Sequence, residues 1–201
     1  MKSRTRRLSI ILAMCVSSAS QAAIYTTQLS GPGEVPPNAS PGTGNAVVNY
    51  DLATHTFSIN VIFSGLTSTT TASHIHCCTA LPAAAPVATQ VPTFIAFPLG
   101  VSSGTYSHTF NTLDPATWNP SFVTASGGTA AGAEAALAAG LAAGTSYLNI
   151  HTSAFPGGEI RGFLTAAGTG QAPEPSAIAL FAIAAGALVA ARRRRTRPDL
   201  P

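Results

Sequence analysis

Charge is the scarcest commodity in the body of this chain. Only 8% of its 201 residues are Asp, Glu, Lys or Arg. Nine of the ten bases lie at the two ends: Lys2, Arg4, Arg6 and Arg7 at one, Arg192, Arg193, Arg194, Arg195 and Arg197 at the other. Between residues 24 and 172 a single base, Arg161, faces Glu34, Asp51, Asp114, Glu134 and Glu159. The pI near 9 therefore describes the ends, and no basic patch remains to hold phosphates, which excludes nucleic acid as a partner. Cysteine is nearly absent too: Cys15 belongs to a leader-like segment, leaving only Cys77 and Cys78, too few for a disulfide framework. No Ser/His/Asp arrangement, pair of catalytic acids or phosphate loop is visible, which turns the reading away from an enzyme. Long apolar runs are also missing. The best one, residues 177–191, would span about 22 Å as a helix, short of a hydrocarbon core of about 30 Å.

The two ends read as addresses. Residues 1–23 combine a basic start, an apolar run from Leu8 to Val16 and small residues up to Ala23, a secretory signal cut after Ala22 or Ala23. Lipidation of Cys15 would want a small residue where Met14 stands. Export places Cys77 and Cys78 in an oxidising compartment. After a linker at 167–172 come Pro173-Glu174-Pro175, the apolar helix 177–191, and the cluster Arg192, Arg193, Arg194 and Arg195. That order closely resembles the PEP-CTERM sorting signal of Gram-negative bacteria. The resemblance implies an exosortase-type processing enzyme as partner and transient anchorage in the inner membrane. Cleavage near Pro-Glu-Pro would then release the protein to the cell surface or an exopolysaccharide matrix. The competing expectation is a simple tail-anchored span.

The interior alternates as half-buried strands do. Ala46, Val48, Tyr50 and Leu52 alternate with Val47, Asn49 and Asp51, and Phe57, Ile59, Val61 and Phe63 alternate with Ser58, Asn60 and Ile62, so these two runs should form an antiparallel hairpin. Further strands are expected at 24–30, 71–78, 93–98, 105–110, 147–152 and 159–166. Residues 79–92, rich in Ala and Pro, read as a long surface loop. Residues 114–122 read as a loop or one helical turn, and 129–143 as the one helix of the domain, stopped by Gly144. The class expected is all-β, an antiparallel β-sandwich over residues 24–166 with one short Ala-rich helix, a signal helix before it and an apolar helix after it.

Chemistry concentrates in Ser73-His74-Ile75-His76-Cys77-Cys78 and in Tyr147-Leu148-Asn149-Ile150-His151-Thr152. A strand puts His74, His76 and Cys78 on one face, and the two imidazoles, roughly 6.6 Å apart along it, can converge on one ion. If the later strand lies alongside, His151 completes a three-imidazole site for copper or zinc, with Cys78 as a fourth donor. Against this stands the plainer reading, in which the histidines bond loop carbonyls and the Glu34 region. Cys77 and Cys78 have three readings that the sequence leaves open: a vicinal disulfide, a reduced pair at a metal, or small apolar filling. His55 and His108 read as surface or packing residues. Arg161, the lone cation, should be paired with Glu34 or Glu159, locking the first segment to the last strand.

Four pieces in order resemble the CHRD domain, the repeated module first described in chordin: Leu29-Ser30-Gly31-Pro32-Gly33-Glu34-Val35-Pro36-Pro37, Ala72-Ser73-His74-Ile75-His76, Tyr147-Leu148-Asn149-Ile150-His151-Thr152, and Pro156-Gly157-Gly158-Glu159-Ile160-Arg161-Gly162. The resemblance implies an all-β extracellular module; the missing catalytic groups make a non-enzymatic one the expectation, with an extracellular polysaccharide or protein as its partner. Typical members carry a Gly-rich segment after the His-Ile-His, where this chain has Cys77-Cys78 and an Ala/Pro-rich loop. The histidine pattern also resembles the copper half of Cu/Zn superoxide dismutase, itself a β-sandwich. That resemblance implies His74, His76 and His151 as ligands of a copper redox protein, although residues 79–92 contain no His, Asp or Glu to match the dismutase zinc loop. A protein-ligand trap of the chordin kind is the third expectation.

Overall fold

In the computed structural model, which describes residues 22–167, the alternating runs become strands. β2 (Thr43–Asp51) and β3 (Thr56–Ser64) pair antiparallel, with Tyr50 opposite Phe57, Val48 opposite Ile59 and Ala46 opposite Val61. These six side chains are buried, and removing each from water stabilises the fold, by roughly 1.5–3 kcal/mol for a large apolar residue. The turn between them closes because Asp51 Oδ1 accepts a hydrogen bond from Ala53 N at 2.8 Å.

The remaining strands are β1 (Ala23–Ser30), β4 (Thr70–Cys77), β5 (Gly104–Asn111), β6 (Ser146–Thr152), β7 (Ile160–Phe163) and β8 (Thr165–Ala166). All join one curled antiparallel sheet in the order β4-β6-β7-β1-β2-β3-β5, with β8 pairing β1. The hydrogen-bond ladder is therefore continuous, where a division into two sheets was expected. Alternation states which face of a strand is buried. It says nothing of which edges pair, and here β1 is joined to β2 on one side and to β7 and β8 on the other.

Three local expectations change. Residues 93–98 are an irregular loop, because Phe94 and Phe97 are both buried and lie three residues apart, which no strand can place on one face. Their rings pack on Tyr106 at 5.8 and 5.3 Å. The domain has two α-helices instead of one: α1 (Pro120–Ala125), capped by the Asn119 side chain, precedes α2 (Ala130–Ala142), capped by Thr129. The loop at 79–92 is only partly a surface feature, since Ala88 and Thr89 are fully buried and bond to Ile75 at the edge of β4. α2 lays Ala133, Leu137, Gly140 and Leu141 on the core as one stripe. It ends where Gly144 takes φ +66°.

Among the described residues no helix is long and apolar enough to cross a membrane. Nearly all of the expected signal segment, the helix 177–191, and Pro173, Glu174, Pro175, Arg192, Arg193, Arg194 and Arg195 lie outside the described residues.

Candidate metal centre

β4 and β6 pair so that His76 stands opposite Tyr147, His74 opposite Asn149 and Ala72 opposite His151. Directly opposed residues share a face, so one side of this pair carries His74, His76, Tyr147, Asn149 and His151. The other side presents Ile75, Leu148 and Ile150 to the core, all fully buried. β7 extends the polar side, with Arg161 opposite Asn149 and Phe163 opposite Tyr147.

The three imidazoles converge. Their ring centroids lie 5.1 to 5.9 Å apart, and one nitrogen from each lies within 4.8 Å of the other two. Each ring is held by a backbone carbonyl on its far nitrogen: His74 Nε2 by Pro92 O at 2.6 Å, His76 Nδ1 by Ala85 O at 2.8 Å, and His151 Nδ1 by Pro156 O at 2.9 Å. A carbonyl only accepts, so those nitrogens carry the protons and the other three carry lone pairs. His74 Nδ1 and His151 Nε2 thus face each other at 3.3 Å with no proton between them, and His76 Nε2 is buried without a partner. Two nitrogens bound tetrahedrally at about 2.0 Å to one ion stand about 3.3 Å apart. The first pair already has that spacing. Second-shell carbonyls of this kind fix the tautomer that a metal needs.

Burial keeps the set uncharged. Desolvation pushes His74 and His76 down to about 4, against the hydrogen bonds to Pro92 and Ala85, and it lowers His151 as well. His76 is also stacked on Tyr147 at 4.8 Å and 7° between planes, while the Arg161 guanidinium covers the other side of that system, 4.7 Å from the Tyr147 centroid. The phenol oxygen accepts from Ala85 N at 3.0 Å.

The remaining predicted residues fall in different places. Cys77 and Cys78 are joined as a disulfide. Both sulfurs lie against Gly140 of α2, and the Cys78 sulfur is 3.8 Å from Ala136 O. The group of three histidines does not include Cys78, whose sulfur is committed to Cys77. Arg161 lies 3.8 Å from Glu34 Oε2 and donates to the carbonyls of Gly33 and Pro82. Glu159 turns elsewhere, accepting from Thr152 Oγ1, Ser40 Oγ and Thr67 N. His55 sits in the β2–β3 turn against Glu134 at 3.1 Å, and His108 packs edge-on to Phe110 at 4.4 Å.

Sequence reasoning missed Asn149, Tyr147 and the three carbonyls. Strand alternation alone placed Tyr147 and Asn149 on the His151 face. The loop carbonyls carry no side-chain signature.

A family model for the CHRD domain matches residues 25–164. Comparison with curated proteins and with solved structures returned no match.

Proposed function

We propose, from the premise that this chain belongs to the CHRD-domain family, that it is an exported, non-enzymatic module that holds one copper or zinc ion on His74, His76 and His151. The single observation behind this reading is the convergence of three lone pairs whose rings are each fixed from behind by a carbonyl. Neutral imidazoles suit copper and zinc alike, and three of them leave a position for a further ligand. The signal at 1–23 and the Pro173-to-Arg195 segment would carry the module through the inner membrane to an exosortase-type enzyme. It would then pass to the cell surface or an exopolysaccharide matrix, where a polysaccharide or protein is its partner.

The test is metal content. The full chain, isolated from an exporting host and dialysed, should retain about one equivalent of copper or zinc. The His74→Ala/His76→Ala/His151→Ala variant should retain none while keeping its β-sheet circular dichroism. Equal retention by parent and variant sinks the reading.

A copper redox role is the second reading, favoured by the all-imidazole donor set. It predicts reversible reduction of the copper-loaded chain by ascorbate and measurable superoxide dismutation. Zinc alone in the isolated protein would rule it out.

A further inference from the structure

Among the described residues, three buried side-chain atoms have no hydrogen-bond partner: His76 Nε2, Asn149 Oδ1 and Glu34 Oε1. They belong to one place. Asn149 stands opposite His74 on one side and opposite Arg161 on the other, two residues along β6 from His151, so its side chain shares the face of the rings. Glu34 enters from the turn after β1 and reaches the same amide. A carbon placed one bond from the Gly158 Cα would lie 2.5 Å from Asn149 Nδ2, 2.6 Å from Asn149 Oδ1 and 2.7 Å from Glu34 Oε1. Carboxylate and amide therefore converge on one small gap that only a glycine leaves open, and Gly158 has φ +132°.

The two oxygens face this gap beside the Asn149 amide nitrogen, and neither receives a hydrogen bond. Arg161 does not supply it: its guanidinium donates to Gly33 O and Pro82 O, stacks on Tyr147, and stands nearer Glu34 Oε2 at 3.8 Å. A metal held by three imidazoles has a fourth position. Water there carries two strongly polarised hydrogens, the complement of two unpaired oxygens. An anion in the same position would meet the partial negative charge of the amide oxygen and, above the Glu34 pKa of about 7, the full charge of its carboxylate.

Resting on the three-histidine reading, we infer that the fourth position of the metal takes a small protic ligand, water in the resting protein, whose hydrogens are accepted by Asn149 Oδ1 and Glu34 Oε1, and that these two oxygens turn anions away.

The probe is azide, titrated into the copper(II)-loaded full chain and followed by its charge-transfer band. Pulsed EPR in D2O reports exchangeable deuterons on the metal. The parent should show those deuterons and bind azide weakly. Glu34→Gln and Asn149→Ala, each checked for an unaltered fold by circular dichroism, should keep one equivalent of copper and bind azide roughly tenfold more tightly, since the first removes the carboxylate charge and the second removes the amide oxygen. Unchanged azide affinity in both variants, or no exchangeable deuteron in the parent, overturns the inference and leaves the metal site standing. Copper lost from a folded variant overturns it as well, by making that residue a ligand. A parent that holds no copper removes the three-histidine reading itself and this inference with it.

Discussion

His74 and His76 carry a pH signature because burial holds their pKa at about 4, below the 6.5 of a free imidazole. An unfolded chain takes up their protons on acidification before the folded one does. The stability they lend is therefore complete above about pH 6.5 and is lost as pH falls to about 4. Each contributes on the order of 3 kcal/mol over that window. Glu34 works the other way. Desolvation, only partly offset by Arg161, raises its pKa from 4.5 to about 7. Its contribution is thus full below about pH 4.5 and is lost as pH rises through 7. In the metal-free protein, urea midpoints should fall between pH 6.5 and 4, and Glu34→Gln should steepen that fall by removing the opposing group. A midpoint independent of pH across this range would show that the rings are hydrated. At this scale the sequence was half legible. The spacing of His74 and His76 is visible from alternation alone, whereas Ala85, Pro92 and Pro156 act through carbonyls, which every residue has.

Among the elements, α2 offers the sharpest test. Gly140 is buried in the last turn of the helix, where Ala would normally be preferred by up to about 1 kcal/mol. An added Cβ, however, would fall against both sulfurs of the Cys77–Cys78 disulfide and 2.7 Å from Ser146 Oγ. Overpacking of this kind costs typically 1–3 kcal/mol, so packing outweighs propensity. Gly140→Ala should lower stability by about 1–2 kcal/mol in chemical denaturation. A gain would mean that α2 is not seated on β4 and β6 as described. Leu137, fully buried on the same stripe, should cost about 2–5 kcal/mol as Leu137→Ala, read from the same denaturation curves. The position of α2 was readable from its Ala-rich run, Thr129 and Gly144. The loop at 93–98 was misread as a strand because its apolar content was weighed and its period was not: Phe94 and Phe97 repeat at three.

Across the whole molecule, Arg161 ties together segments far apart in the chain. From β7 it bonds Gly33 after β1 and Pro82 in the long loop, approaches Glu34, and covers Tyr147 beside His76. Removing one partner of a buried charge pair costs about 3–5 kcal/mol, and Arg161→Met should fall in that range by urea denaturation. Arg161→Met/Glu34→Gln should be less destabilised than the sum of the single variants, because the second change removes the stranded carboxylate. Strict additivity would show that the 3.8 Å approach carries no coupling. The whole-molecule expectation that changed was the sheet. Alternation foretold most of the strands, though 93–98 is a loop and 159–166 divides into β7 and β8, and the single curled ladder follows from pairings of β1 with β2, β7 and β8 that no local pattern encodes.

By itself the sequence determined most of the strands, the faces they bury, the near-absence of charge and the types of side chain able to hold a metal. These are local properties, set by side-chain period and chemistry over a few residues. The tertiary structure decided which edges meet, and therefore that His151 lies beside His74 and His76 while the Cys78 sulfur turns to α2. It also decided that Asn149 and Glu34 face one gap, because contacts between residues more than a hundred positions apart are fixed by the register of the sheet.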